Sequence, residues 1–426
     1  MKKTVISILI LILTIGTAAS HTTVHKGKVH AFGNETVIDS VSLYKIFHNN
    51  APVDFHTPGI PSTAYVGHEG MFLVGIGGFA KSVMGWDFGH PIDDPDEFAT
   101  SAIPMHPMNG NNQKFNISAK QSHLFVNFVA LPGSENEFGA FISANFMDGY
   151  KPHLQFAYMK YRGIQAGYEY SLFADPACNA PAIDYEGPCA STTSPVASVR
   201  YCFNPDRNKR WELGISLEYP EISVTNISDR TTVVNQRVPD IPIAAKYSWA
   251  GGESWVKGMA IMRNMYYRNL QQSKNIDKIG YGFQLTGAVQ FLEKFKFLYQ
   301  GVWGNGIASL IQDTENEGLD LVPMAGGKLK SVPAWGATAA VTYDITEKFC
   351  VSATYSQVRT YADRFNDGEN VWGDMYKYGQ YFSTNFFWHI FSYLDTGVEY
   401  LWGRRANYDG MKCSDNRVQA MLQLSF

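Results

Sequence analysis

Beyond its first fifteen residues, this chain of 426 has no apolar run approaching the ~20 residues that a membrane-crossing helix requires. Charge is scarce too: charged residues make up 17% of the chain, against roughly 25% in an ordinary soluble domain. The formal net charge is −4, and −6 once Lys2 and Lys3 are set aside, so no basic excess points to a nucleic-acid partner. The five cysteines show no C-x-x-C or Cys/His spacing of the kind a metal site uses. Gly75-x-Gly77-Gly78 lies inside a strand pattern rather than at a strand-to-helix turn, so it is not a phosphate loop. No serine or histidine motif has a hydrolase context. Neither an enzyme nor a cofactor is expected. No composition shift marks a linker between two soluble domains.

What the chain does have is aromatic side chains, 14% of its residues, and a strand pattern that ends on one. From Cys413 to Phe426, Val418, Ala420, Leu422, Leu424 and Phe426 share one face, while Arg417, Gln419, Met421, Gln423 and Ser425 share the other. A strand that is apolar on one side, polar on the other and finished by an aromatic is what an outer-membrane barrel places in lipid. Residues 1–20 supply the route: Lys2 and Lys3 precede the apolar run Val5 to Ile15, and Thr17, Ala18, Ala19 and Ser20 make a cleavage region, as in a secretory signal.

The same alternation recurs along residues 70–426. Trp211, Leu213, Ile215, Leu217 and Tyr219 interleave with Glu212, Gly214, Ser216 and Glu218, and Tyr281 to Phe291 and Trp335 to Tyr343 repeat the arrangement. Strands are expected near 70–86, 113–130, 137–148, 153–161, 164–173, 196–203, 210–225, 239–249, 253–265, 278–291, 294–304, 334–343, 346–360, 375–388, 391–403 and 413–426. These make an all-β transmembrane antiparallel barrel of about sixteen strands, an even number, as closure requires. Odd-to-even links are mostly long and polar, 266–277 among them, and even-to-odd links are short, which puts both termini in the periplasm. Residues 21–69 do not alternate and read as a periplasmic leader, with one helix expected within Val37 to Phe47. His21, His25 and His30 in that leader read as solvated rather than metal-binding.

Cys178 and Cys189 fall in one link of a chain bound for an oxidising compartment, so a disulfide between them is expected. Inward parity places Lys120, Arg200, Lys246, Lys257, Arg263, Lys296, Lys377 and Arg417 in the lumen beside Glu169, Glu212, Glu218, Asp395 and Glu399. That lumen is mixed in sign. Arg200, close to where the 174–195 link returns, is the first candidate for attracting anions at the narrowest point, with Lys120, Arg263, Lys377 and Arg417 behind it.

Several local motifs then add a family. VGIGGFAK (Val74 to Lys81), FATSAIP (Phe98 to Pro104), SAKQS (Ser118 to Ser122), AYMKY (Ala157 to Tyr161), AGYEYSLF (Ala166 to Phe173) with Asp175, PAIDYEGP (Pro181 to Pro188) and VRY (Val199 to Tyr201) together resemble the DcaP-like family of bacterial outer-membrane porins over about residues 70–205. The resemblance implies a homotrimeric outer-membrane channel for small hydrophilic solutes, biased toward anions such as dicarboxylates, and carrying the Ala174 to Pro195 link as an inward constriction loop. On the residues alone that link is equally an exposed surface loop. As a constriction loop, it would bring Asp175, Asp184 and Glu186 to the pore. The chain departs from the family where it has His123 in place of an arginine and Gln155 with Phe156 in place of an Arg-His pair, so the basic wall those arginines supply is not carried over. A porin is therefore expected. A lumen plugged by residues 21–69, an outer-membrane barrel enzyme and an adhesin are the rivals.

Overall fold

Alternation at period two gives each strand one face for lipid and one for water, and closing the sheet removes the unpaired edges that a membrane does not tolerate. The chain follows that logic in the computed structural model, which describes residues 29–33, 38–52, 59–106, 112–225, 230–324, 328–365 and 373–426. Sixteen strands form one antiparallel barrel: β1 (Phe72–Phe88), β2 (Gln113–Ser118, resuming as His123–Ala130), β3 (Phe138–Asp148), β4 (Lys151–Tyr161), β5 (Ile164–Tyr170), β6 (Pro195–Phe203), β7 (Trp211–Glu218) and β8 (Ile241–Trp249). The second half continues as β9 (Ser254–Asn269), β10 (Lys274–Leu292), β11 (Phe295–Asn305), β12 (Pro333–Thr346), β13 (Phe349–Thr360), β14 (Tyr376–Phe391), β15 (Leu394–Asn407) and β16 (Lys412–Ser425). β16 closes on β1 from Arg417 opposite Asp87 to Ser425 opposite Phe79, and the Phe426 amide donates to the Gly78 carbonyl at 3.0 Å. Among the described residues no helix is long and apolar enough to cross a membrane.

The outward positions are those the alternation assigns. Ile76, Met84, Ile117, Ile215, Leu285 and Leu422 are exposed on the outside, while their neighbours Lys81, Ser216, Thr286 and Gln419 are buried within. At the periplasmic rim, aromatic rings pack side by side: Tyr201 with Phe203 at 5.6 Å, Phe295 with Tyr343 at 4.3 Å and Phe391 with Tyr393 at 5.5 Å. Tyr281, Phe283 and Trp303 form a counterpart toward the other end. Such belts sit where lipid meets water. Two-residue hairpins at Gly149-Tyr150 and Arg162-Gly163 place both central residues at positive φ, the mirror-image turn that suits the twist of paired strands.

Besides the break between Ser118 and His123 in the strand expected over 113–130, the structure departs from the expected strands at two places. β7 ends at Glu218 instead of near 225, because Pro220 has no amide to continue the ladder; Val224 instead bridges to Leu319 and Leu321 of an outer loop. The link expected at 266–277 is mostly strand: β9 and β10 run through it, leaving 270–273 as the turn. Met265 and Tyr267 are buried there against Leu321 and Leu329, and Thr231–Val233 pairs with the end of β9. Outer loops cover this extension, so its polar sequence does not signal a free loop.

The proposed signal, residues 1–20, lies outside the described residues, as do His21 and His25. The described part of the leader is ordered against the barrel. Helix α1 (Ser40–Asn50) starts at Asp39, whose carboxylate accepts from the Val41 and Ser42 amides at 3.0 Å each. Leu43, Phe47 and Asn50, spaced to share a face, are its buried residues. With Val29, Ala64 and Val66, Leu43 and Phe47 pack on Leu73 of β1 and Val129 of β2, both inward-facing. Asn50 also bonds Asn127 at 2.6 Å and the Ala140 carbonyl at 3.1 Å, and Gly139 leaves no room for a side chain beside it. Tyr158 of β4 donates to the Asn50 carbonyl at 2.7 Å. The leader thus lines the inner wall at the periplasmic mouth.

Candidate pore and constriction

A barrel of sixteen strands leaves an aqueous lumen unless something folds into it. Here the β5–β6 loop, residues 171–194, folds in and is pinned strand by strand. Asp175 accepts from Trp255 Nε1 of β9 at 3.0 Å and from Thr286 Oγ1 of β10 at 2.6 Å. Gln300 of β11 donates to the Ala190 carbonyl at 2.7 Å, and Ser352 of β13 and Asn385 of β14 donate to the Pro181 carbonyl. Glu399 of β15 accepts the Ile183 and Asp184 amides at 3.1 and 2.8 Å. These loop groups, taken out of water, find partners on the wall, as burial demands. The loop crowds the β9–β15 side and leaves space toward β2–β5.

Two further outer loops lock onto it. The β1–β2 loop lays Phe98 and Ile103, both fully buried, into a core with Phe173, Ile307, Ile311 and Tyr381. Its Phe98 amide donates to Asp184 at 2.9 Å, and Tyr381 OH donates to the other oxygen at 3.0 Å. The β11–β12 loop bonds Thr100 through Asp313, sends Gln312 to the Glu186 carbonyl, and places Glu315 to accept from Ser194 at 2.7 Å.

The sequence-derived candidates divide accordingly. Glu186 is the one at the opening. Asp175 and Asp184 are loop staples, and burial beside Glu399 pushes the Asp184 acid up to about 8. Arg263 and Arg417 face inward yet are buried by loops. Arg263 pairs with Asp240 at 2.8 Å and Asp320 at 3.4 Å, and Arg417 pairs with Asp87 at 2.5 Å. Both hold the outer loops. Lys377 sits at the outer end of β14 and pairs with Asp363 at 3.2 Å, while Lys120 pairs with Asp94 at 3.4 Å. Arg200 faces the lumen as its parity requires, but it is paired with Glu169 and lines a periplasmic-side cavity with Lys160, Glu212 and Lys257 rather than the opening at Glu186.

The expected disulfide is not formed. Cys178 Sγ lies 3.5 Å from Gln300 Oε1 on β11, and Cys189 Sγ lies 3.5 Å from Ser356 Oγ on β13, both as buried thiols. Loop spacing brought the cysteines close in sequence, but the wall contacts of the inserted loop send their side chains to different strands.

Beside the cavity at Arg200, two chambers share Tyr185. The outer one, about 180 Å³, is bounded by Tyr185, Glu186, Ser194 and Glu315 with Gln155 and Tyr170 of the wall. The inner one, about 210 Å³, is bounded by Tyr185 with Lys81, Gln121, His389, Asp395 and Gln423. Tyr185 OH accepts from Asn145 Nδ2 of β3 at 2.7 Å, which ties the loop tip to the wall opposite its anchors. An aromatic run crosses the inward wall beside this neck: Phe79 on His123, then Phe125, Phe141 and Tyr158, with centroids 5.5 to 6.2 Å apart. Sequence reasoning missed Lys81 and Tyr185. Lys81 was legible from parity, opposite the outward Ala80 and Ser82; Tyr185 required the path of the loop.

No protein-family model matches the chain, and a comparison with curated proteins finds no match. Solved structures are similar to it. The outer membrane channel DcaP of Acinetobacter baumannii superposes with a TM-score of 0.71 at 19% identity, covering 84% of this chain and 99% of that one. OmpT, an outer membrane protein of Vibrio cholerae, gives 0.53 at 10% identity, with 85% and 99% covered. At these identities the likeness is one of fold. Together with the lipid-facing belt, it makes this chain a sixteen-stranded outer-membrane barrel like DcaP.

Proposed function

We propose that the chain is an outer-membrane porin, a passive diffusion channel for small hydrophilic solutes. The observation that carries this reading is the pair of chambers, each lined by both polar and apolar side chains, meeting at Tyr185 inside a closed barrel, with an inserted loop narrowing the lumen as a selectivity element does. DcaP is described as an outer membrane channel, in keeping with the same reading. Assembly as a homotrimer in outer-membrane lipid is part of the proposal, on the strength of the motif resemblance. The dicarboxylate preference implied by that resemblance has weaker support, because Arg200, Lys120 and Lys377 are each paired with a carboxylate. Purified protein in a planar bilayer should show stepwise conductance. Liposomes carrying it should take up small polyols without hydrolysing them, and failure of both would end the porin reading.

A plugged transporter is the second reading, and helix α1 on the inward wall of β1–β3 favours it. In that case, removing residues 29–61 would convert a closed barrel into a conducting one, whereas a porin conducts with the leader in place.

A further inference from the structure

The two chambers differ in charge: the inner is lined by Lys81 with the paired His389 and Asp395, the outer by Glu186 and Glu315 with no base, and Lys81 and Glu186 each lack a side-chain partner among the described residues. On the inner side Lys81 is only 4% exposed, and its ammonium makes no hydrogen bond or ion pair with any described residue; only its backbone is engaged, the amide and the carbonyl both by Ser122. The inward cations around it are otherwise committed. Arg200 is paired with Glu169, Lys120 with Asp94 and Lys296 with Glu253, and Lys257 donates to the Ala174 carbonyl. The acids nearest Lys81 are held elsewhere: Asp96 by Ser118 and Gln121, Asp184 by Tyr381, and Glu399 by Asn385 and Gln419. An ammonium so buried and unpaired is costly unless something from the chamber meets it. Gln121 and Gln423 line the same space with amide donors.

On the outer side, the Glu186 carboxylate likewise makes no hydrogen bond or ion pair with a described residue, although the Glu186 amide and carbonyl are both bonded. Glu315 stands across the chamber and no basic residue lines it. Burial, with Glu97, Asp313, Glu315 and Asp184 around it, pushes the Glu186 acid well above the ordinary range. A cation arriving there would relieve that crowding.

We infer that the neck favours solutes carrying both an ammonium and a carboxylate, the carboxylate drawn to Lys81 and the ammonium to Glu186 and Glu315 across Tyr185. The inference rests on the channel reading above. A purely anionic solute meets an acidic outer chamber, and a purely cationic one meets a lysine that no carboxylate pairs directly in the inner chamber. A dipolar solute can meet both, its carboxylate facing Lys81 while its ammonium favours the ionised form of Glu186, because a narrow opening between low-dielectric walls focuses the field of a charge.

Four solutes of equal chain length test this in liposomes bearing the full chain: 4-aminobutyrate, succinate, 1,4-diaminobutane and 1,4-butanediol, the last as the neutral reference. Relative to butanediol, 4-aminobutyrate should enter at least about threefold faster than either singly signed solute. Lys81→Met should erase its advantage over the diamine, Glu186→Gln its advantage over succinate, and Lys81→Arg should retain both. Succinate or the diamine entering fastest through the unaltered channel would overturn the inference, as would ratios that neither variant moves. Butanediol entering no faster than into protein-free liposomes would instead overturn the channel reading itself.

Discussion

Arg417→Ala should destabilise the barrel and widen its opening at once. The guanidinium is fully buried and binds both oxygens of the equally buried Asp87, at 2.5 and 3.1 Å. Its remaining donors reach the carbonyls of Asp94 at 2.8 Å and Pro95 at 3.1 Å, so one side chain ties the closing strand β16 to β1 and to the loop carrying Asp96 and Phe98. Removing one partner of such a pair leaves an uncompensated charge, which costs about 3–5 kcal/mol. Released from its anchor, the β1–β2 loop should withdraw Phe98 from Asp184 and loosen the constriction. Denaturant unfolding in micelles, followed by tryptophan fluorescence, gives the first quantity, and single-channel conductance gives the second. Replacing both charges with apolar groups, Asp87→Leu with Arg417→Met, should recover most of the stability, since the cost lies in the unpaired charge. A single variant within about 1 kcal/mol of the parent, the range of a surface pair, would refute the argument. So would a double variant whose effect is only the sum of the two singles.

Deleting residues 29–61 should raise single-channel conductance, because α1 occupies the inward wall at the periplasmic mouth; unchanged conductance would place the limiting section wholly at Tyr185. Alkylation after unfolding under non-reducing conditions should label Cys178 and Cys189 both as free thiols, and a recovered cross-linked peptide would contradict the loop path described here. Burial, with Asp94, Asp96 and Glu315 nearby, pushes Glu97 up to about 7, against the opposing pull of Lys120. Being raised from 4.5, this group favours the folded loops when protonated, so the unfolding midpoint should fall as pH rises from 4.5 to about 7, and reversal potentials should become less cation-favouring as pH drops through about 7. Arg200→Ala leaves Glu169 with Gln165 but without its counter-charge and should shift permeability toward cations on the periplasmic side, read as a changed reversal potential under a salt gradient.

The barrel was legible in the sequence because its information is local. Side chains in a strand alternate strictly, lipid and water demand opposite chemistry, and closure asks only that the pattern repeat an even number of times. Hence β16, from Lys412 to its final aromatic, announced its two faces, and Arg200, Arg263 and Arg417 turned out to face inward. Parity, however, says only which way a side chain leaves the wall. Whether it then meets water, a solute or another part of the chain depends on loops folding in from far along the sequence. That is why Arg417 became a staple for residues 94 and 95, why Cys178 and Cys189 turned to different strands, and why a polar stretch at 266–277 was strand beneath a covering loop. The opening at Tyr185, between unpaired Lys81 and unpaired Glu186, is likewise a product of tertiary structure: its residues come from β1 and from the tip of the β5–β6 loop, and only the many weak anchors along β9–β15 hold that tip across the lumen.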